Sequence, residues 1–351
     1  MGEFLAGVFV PVLAVSMGAS VLLTSFIVVA YNLAVFLSSY IFGRAADIYG
    51  RRFFLQCGLG LSAMVFMVQV VPSTFHRDPY LLLLTMALAG ISVGLYSPAL
   101  MAFVVEEKKK LGRFMSWGAV GWGIGTLLAG VLASFLQIFV LSSLLFMASF
   151  AISLYLPKFK ERLYIVPIFP VKVIRRNLDV YIAMTLRMVG ATAFWWFFPV
   201  YMSVNMHIGL FWVGLMYTIN AFTQFIVMNF LDSYKSIRMV HWGLALSATV
   251  FLVMGLVTVL WQFLVLYIFV GVAWALLYVG SSKYVMARCD EKATASGLLN
   301  STLSMAGVVG PFLGGMVTVS FGYRTNFFTA ALLTIAGLYL LVIRGWGPGK
   351  R

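Results

Sequence analysis

"FGRAADIYGRR" runs from Phe42 to Arg52 and places four charges, Arg44, Asp47, Arg51 and Arg52, between two apolar stretches, Val21 to Phe42 and Phe53 to Val71. A helix rises about 1.5 Å per residue, so about 20 apolar residues cross a hydrocarbon core of about 30 Å. Both flanking stretches reach that length. The charges therefore sit in a tight turn between two membrane helices, and the same reading can be tried along the rest of the chain.

It succeeds twelve times. Of the 351 residues, 62% are hydrophobic and 10% charged, with a mean hydropathy of +1.01, against roughly 25% charged residues in a soluble domain. The expected spans are 4–18, 21–42, 53–72, 80–105, 114–134, 136–156, 179–203, 210–230, 239–258, 260–282, 295–319 and 326–343. The fold class is an all-α polytopic membrane protein.

The net charge of +14 in a soluble chain would point to nucleic acid. Its distribution says otherwise. Of 24 basic residues, 21 fall in even-to-odd connections or at the C-terminus, Arg77 and Arg324 fall on the other side, and Arg187 lies within a span. Basic residues stay in the cytoplasm, so both termini are expected there, with an even helix count. The expected location is the plasma membrane, the expected partners are the lipid bilayer and a small-molecule solute, and nucleic acid is excluded. Cys57 and Cys289 are isolated and on the reducing side, which argues against a disulfide or a metal site. No cofactor is called for.

The most polar stretch, Lys158 to Asp179, divides the chain into a bundle at 1–157, a cytoplasmic linker at 158–178 and a second bundle at 179–351. A constant offset of 185 relates the halves: Asp47 and Tyr49 map to Asp232 and Tyr234, Gly112 to Gly297, Gly125 to Gly310, and Gly130 to Gly315. Six-helix halves repeated in parallel are a transporter architecture with substrate handled near the bilayer midplane. Against this repeat the first span is short, and the first helix is expected to be clipped, with a native start upstream or local thinning of the bilayer.

Gly43, Asp47, Gly50, Arg51 and Arg52 resemble the Gly-x-Leu-Ala-Asp-Arg-x-Gly-Arg-Arg signature of the major facilitator superfamily, at the connection where that family carries it. Ala45 and Ile48 replace the usual Leu and basic residue. The resemblance implies twelve helices in two bundles related by a pseudo-twofold, and a cytoplasmic gate in which Asp47 meets the start of the eleventh helix near Ser296 and Gly297. "GVVGPFLGG", Gly307 to Gly315, resembles the family's glycine-proline pattern. In the fifth helix Thr126 stands where the antiporter version has Pro, and in the fourth Met86 stands where Arg is expected. By the resemblance, helices one, four, seven and ten line the cavity.

The acidic residues all read as helix-end or loop positions, which leaves no carboxylate at midplane and no evident proton relay. Glu106 to Lys110 reads as a solvated inside loop. Arg187 is the one charge inside a span, sharing a helical face with Ala191, Phe194, Phe198 and Tyr201. It is either an anion anchor in the cavity or a guanidinium snorkelling to the interface. Polar stripes at helical spacing put Tyr217, Asn220 and Gln224 on the eighth helix, Trp274, Tyr278 and Ser281 on the tenth, Asn300 and Ser304 on the eleventh, and Asn32 and Ser39 on the second. Such groups must face inward. The candidate solute contacts are Arg187, Phe194, Asn220, Gln224, Trp274, Tyr278 and Asn300.

Alternating-access transport of a small organic solute by a monomer, with or without a coupling ion, is the function these features imply. A transport-inactive receptor or scaffold of the same fold is the alternative. A membrane enzyme would need a reacting constellation at depth, and the sequence offers none. An aromatic cavity with one Arg suits neutral, amphipathic or anionic solutes better than cations.

Overall fold

The computed structural model describes residues 1–3, 10–106, 110–132, 134–156, 170–195 and 197–345, and among these the regular structure is helical, with no strand. Twelve helices carry it: α1 Val10–Ser16, α2 Val21–Tyr49, α3 Arg51–Val68, α4 Pro79–Glu106, α5 Leu111–Val131, α6 Phe135–Leu154, α7 Val171–Trp195, α8 Leu210–Met228, α9 Ser236–Leu256, α10 Leu260–Ala287, α11 Lys292–Phe321 and α12 Thr325–Gly345. Nine of them, all but α1, α5 and α7, are each long and apolar enough by themselves to cross a membrane. Side chains such as Leu22, Phe26, Phe312 and Met316 lie exposed on their helices, a surface suited to lipid rather than to water.

Helix boundaries follow local chemistry. Ser20 Oγ accepts the Leu23 amide 3.2 Å away and caps α2, and Ser134 Oγ does the same for α6 at 3.3 Å from the Gln137 amide, each satisfying one orphan donor of a first turn. Gly50 ends α2 and begins α3 with φ at 111°, a conformation that favours glycine; the opening turn is as tight as the sequence implies. After α3, a π-helical turn at Val71–Phe75 contains Pro72. After α7, Pro199 lies in the short helical turn Phe198–Val200, which runs into a π-helical turn at Tyr201–Asn205. In both places proline supplies no amide to the preceding turn and the ladder shifts. Pro98 and Pro311, by contrast, sit inside continuous helices.

Two boundaries differ from expectation. The first span, expected over 4–18, falls partly on 4–9, outside the described residues; Gly2 and Glu3 are helical and α1 ends at Ser16. The seventh helix begins at Val171, eight residues before Asp179. Its added turns keep Lys172, Arg175 and Arg176 exposed while Val173, Asn177 and Val180 are buried, an amphipathic spacing that a search for purely apolar runs passes over.

Two compact units emerge. The first comprises Met1–Lys109, Val120–Val173 and Cys289–Ser304; the second comprises Lys110–Ala119, Ile174–Arg288 and Met305–Arg351. The first turns of α5 thus belong with the second unit, and those of α11 with the first. Within the first unit the main packed pairs are α2 with α4, α3 with α4 and α3 with α6; within the second they are α8 with α10, α9 with α10 and α9 with α12. Each pairing recurs six helices later. Phe66, Phe139 and Phe146 anchor the first core, and Phe194, Phe198, Phe251, Phe263 and Phe327 the second.

Close approach is made by glycines. A Cβ on Gly94 of α4 would fall 1.9 Å from Ser38 Oγ and 2.6 Å from the Ser39 nitrogen of α2, and one on Gly314 of α11 would fall 2.0 Å from the Ala193 carbonyl oxygen of α7. Thr192 Oγ1 adds a 2.8 Å bond to the Ala306 carbonyl across the second of these contacts. Small residues at such seams are how helices associate where lipid supplies no hydrophobic drive. Gly94→Val should therefore cost at least about 1–3 kcal/mol through overpacking, read as a lower melting temperature of the purified protein, whereas valine at Gly118, where a Cβ meets nothing, should leave it unchanged.

Candidate functional site

The turn of the opening stretch carries a buried carboxylate. Asp47 is 1% exposed, and its oxygens accept bonds from the amides of Ala293 at 3.3 Å and Thr294 at 2.7 Å and from Thr294 Oγ1 at 2.8 Å. These donors belong to the first turn of α11, where amides have no intrahelical partner and the helix end favours an anion. The expected contact near Ser296 and Gly297 lies one turn farther along, where amides are already committed to the helix. Gly297 serves packing instead: a Cβ there would fall 2.2 Å from the Ser39 carbonyl oxygen, and one on Gly43 would fall 2.7 Å from that of Ala293.

Arg51 closes this cluster. Its Nε and Nη2 donate to Asp47 Oδ1 at 3.1 and 2.6 Å, and its Nη1 pairs with Glu106. Glu106, assigned from sequence to a solvated loop, is the last residue of α4 and neutralises a buried guanidinium instead. Arg44 pairs with Glu291, just before α11. Arg52 Nη2 donates to the Leu154 carbonyl at 2.8 Å and occupies the C-terminus of α6.

A second carboxylate repeats the arrangement 185 residues on. Asp232 accepts the amides of Gly112 at 2.7 Å and Arg113 at 3.2 Å, in the first turn of α5. A Cβ on Gly112 would fall 2.5 Å from the Met228 carbonyl oxygen, and Met228 and Gly112 stand at the repeat offset from Gly43 and Gly297. The sequence offset had marked Asp232 as the counterpart of Asp47 without giving it a partner. Its surroundings differ: Lys283 Nζ donates to the carbonyls of Asp232 at 2.7 Å and Tyr234 at 3.2 Å.

Arg187 is not at an interface. It is 4% exposed. Its Nε donates to Ser247 Oγ of α9 at 3.2 Å, Nη1 lies 3.1 Å from Met188 Sδ, and the guanidinium carbon stands 5.4 Å from the centre of the Phe251 ring and 5.0 Å from that of Trp274. Among the described residues no carboxylate pairs with it. Trp274 stacks on Tyr278 at 5.3 Å and 9°, and Phe194 meets Phe251 edge-on at 5.2 Å. Four of the expected solute contacts, Arg187, Phe194, Trp274 and Tyr278, are thus gathered around one guanidinium. Ser247 and Phe251 were missed because they lie on α9, which carries no polar stripe in the sequence.

The other expected contacts are engaged elsewhere. Gln224 Nε2 donates to Asn220 Oδ1 at 2.7 Å along α8. Asn300 belongs to the first unit, where its Nδ2 donates to Ser39 Oγ at 3.2 Å. Beside the Arg187 cluster, Trp195 stacks on Tyr217 at 5.0 Å, and both lie about 6 Å from Tyr267, whose buried hydroxyl has no partner among the described residues.

Glu3, which the sequence assigns to a helix end, is held by tyrosines of two helices. Tyr31 Oη donates to Glu3 Oε1 at 2.6 Å and Tyr96 Oη to Oε2 at 2.9 Å. Tyr31 stands 10 residues into α2, about 15 Å from its start, and Tyr96 stands 10 residues before the end of α4, again about 15 Å from a terminus. A flanking position in the sequence is a mid-helix position in space. Among the described residues no group of His, Cys, Asp and Glu could hold a metal ion, and Cys57 is exposed.

If the Asp47 bonds hold the first turn of α11, Asp47→Asn should lower amide exchange protection at Ala293 and Thr294 about tenfold, a cap's worth of about 1–2 kcal/mol, and leave Gly112 and Arg113 protected. Asp232→Asn should do the reverse, and mass-spectrometric hydrogen exchange reads both.

No curated protein matches the chain in sequence. Among solved structures, it is similar to the human organic anion transporter MFSD10 (TETRAN), at 19% identity over 97% of this chain and 89% of that one with a TM-score of 0.76. It is also similar to a bacterial homologue of the iron transporter ferroportin in an outward-facing state, at 14% identity over 97% and 95% with a TM-score of 0.77. The model of the Major Facilitator Superfamily matches residues 1–168 and 180–350. The twelve helices, the Asp47 turn and that match across nearly the whole length agree: the chain is a multi-pass membrane transporter belonging to the Major Facilitator Superfamily.

Proposed function

We propose that the protein carries a small, amphipathic organic anion across the plasma membrane by alternating access, with both termini in the cytoplasm. Arg187 carries the reading: it is a buried positive charge whose surroundings supply rings, a thioether and a hydroxyl and, among the described residues, no counter-charge. Desolvating a guanidinium is costly, and ring faces return only about 0.5–2 kcal/mol each. An arriving carboxylate, sulfonate or phosphate would complete its neutralisation, and the Trp274, Tyr278 and Phe251 faces suit an apolar body attached to that head. The unpartnered Tyr267 hydroxyl lies in the neighbouring aromatic group. The human structure similar in fold is of an organic anion transporter, which is consistent with this class.

In this reading Gly43, Asp47, Gly50, Arg51 and Arg52 form the cytoplasmic gate, and the carboxylate must leave the first turn of α11 each time the gate opens. The matching contact of Asp232 with α5 gives the second half an equivalent catch, as a repeat of 1–157 in 179–351 requires. Asn300 and the Asn220–Gln224 pair are helix-positioning groups, with Phe194 buttressing the ring that Arg187 faces.

Naphthalene sulfonate is a suitable probe, because an anion that binds the folded state raises its melting temperature. It should stabilise the purified protein saturably, and Arg187→Ala should abolish the shift while Arg187→Lys keeps part of it. Flux of the probe into proteoliposomes is the companion readout. Stabilisation without flux would favour a receptor of the same fold, and saturable binding of an organic cation untouched by Arg187→Ala would overturn the assignment.

A further inference from the structure

Tyr267 and Trp274 lie on one face of α10, two turns and about 10 Å apart along the axis. The facing residues of α7 run the other way. The Arg187 guanidinium stands 5.0 Å from the Trp274 ring, and Trp195, a little over two turns further along α7, stands 6.1 Å from Tyr267. A charge and a hydroxyl therefore mark the two ends of one strip. Between them the strip is aromatic: Phe251, over which Arg187 sits, meets Phe194 at 5.2 Å, and Phe194 meets Trp195 at 6.1 Å. All of these residues belong to the second unit.

The far end of the strip is polar and unserved. Tyr267 is 0% exposed, and its hydroxyl has no hydrogen-bond partner among the described residues. Its ring packs against Phe198 at 5.2 Å, Tyr217 at 6.0 Å and Trp195. A phenylalanine would make the same ring contacts, whereas a buried hydroxyl without a partner destabilises the fold that carries it. That cost is recovered when a group able to share a hydrogen bond arrives. A tyrosine hydroxyl both donates and accepts, so the arriving group is a hydroxyl, a carbonyl or an amide. Beside it, half-buried Trp195 and Tyr217 stack at 5.0 Å and 15°, and such flat faces suit a ring of the solute.

We infer that Tyr267 is a second polar contact for the solute, and that the site selects an elongated, flat anion with a hydrogen-bonding group at the end remote from its charge. This deepens the reading of Arg187 as the anion contact and rests on it. The spacing sets a length: the two polar ends of the solute stand about two helical turns apart, ~10 Å, so a biphenyl body reaches both contacts and a naphthalene body reaches one. Selection follows from the chemistry of the far end. A solute that is apolar there leaves the hydroxyl unpaired, and a site built to share a hydrogen bond discriminates strongly against an analogue that lacks it.

Binding titrations on the purified full chain test this with two pairs of probes, biphenyl sulfonate with and without a hydroxyl at its far para position, and naphthalene sulfonate with and without a hydroxyl on its far ring. In the native chain the hydroxyl should tighten the biphenyl probe about tenfold, one hydrogen bond's worth, and should give the naphthalene probe no such advantage. Tyr267→Phe should bring the two biphenyl probes to equal affinity without lowering the melting temperature of the ligand-free protein. Equal affinities in the native chain, or a preference that survives Tyr267→Phe, overturn the inference. A ligand-free melting temperature that falls in Tyr267→Phe overturns it too, because the hydroxyl would then already be bonded within the fold. An equal gain in the naphthalene pair overturns the length rule. Arg187→Ala should weaken both biphenyl sulfonates alike. If it does not, or if no sulfonate binds, the anion assignment fails, and the uncharged pair of biphenyl and para-hydroxybiphenyl decides the Tyr267 contact by itself: the hydroxyl should be preferred by the native chain and not by Tyr267→Phe, and the absence of that difference overturns the contact.

Discussion

A charge removed from water must find its solvation inside the protein, and two buried charges, Asp47 and Arg187, and half-buried Glu3 find it in three different ways. Asp47 is met by a helix end, a hydroxyl and Arg51, which Glu106 balances in turn. Glu3 is met by two neutral hydroxyls. Arg187 is met by ring faces and one serine. The first arrangement fixes its charges in place, since removing any member strands the others in a medium where that is expensive. In the proposed reading, an anion meets the Arg187 charge. The rest of the architecture, with glycine seams and apolar outer surfaces, serves to hold these groups at their depth.

Much of this was legible in the sequence because it rests on one-dimensional facts. Span length, the sidedness of the basic residues and the Gly43 to Arg52 spacing need no knowledge of which helices touch, and they led to the right class and family. Gly50 could be assigned its turn for the same reason. What could not be read is pairing across helices. Ser247 and Phe251 look like ordinary members of an apolar span until α9 lies against α7. Glu106 closes an apolar run and reads as a loop residue unless Arg51 is known to reach it. The Asp47 contact was placed one turn too far along α11 because a motif names a helix start more readily than it names the two amides left free there.

Glu3 is the more instructive miss, because the means to find it were present. Depth was judged from distance to the chain's first residue, which is no measure of distance to the bilayer surface. The repeat offset, already established from Asp47 and Asp232 and from the glycines, makes Glu3 the counterpart of Met188, the sequence neighbour of Arg187.

That correspondence also bears on how a repeated scaffold acquires direction. The two units use the same helix pairings and matching carboxylate contacts, yet at the repeat offset Glu3 of the first unit answers to Met188 of the second. Asymmetry is visible at the catches too: Asp47 is backed by an arginine and a glutamate, while Asp232 relies on two amides, with Lys283 bonding nearby backbone carbonyls. A helix end alone stabilises an anion by about 0.3–1 kcal/mol, up to about 2 when partly buried, whereas a buried pair stripped of one partner loses about 3–5 kcal/mol. Leaving α11 keeps Asp47 beside Arg51, its partner at the same turn. Equal folds with unequal charges give two halves that respond differently to the same anion.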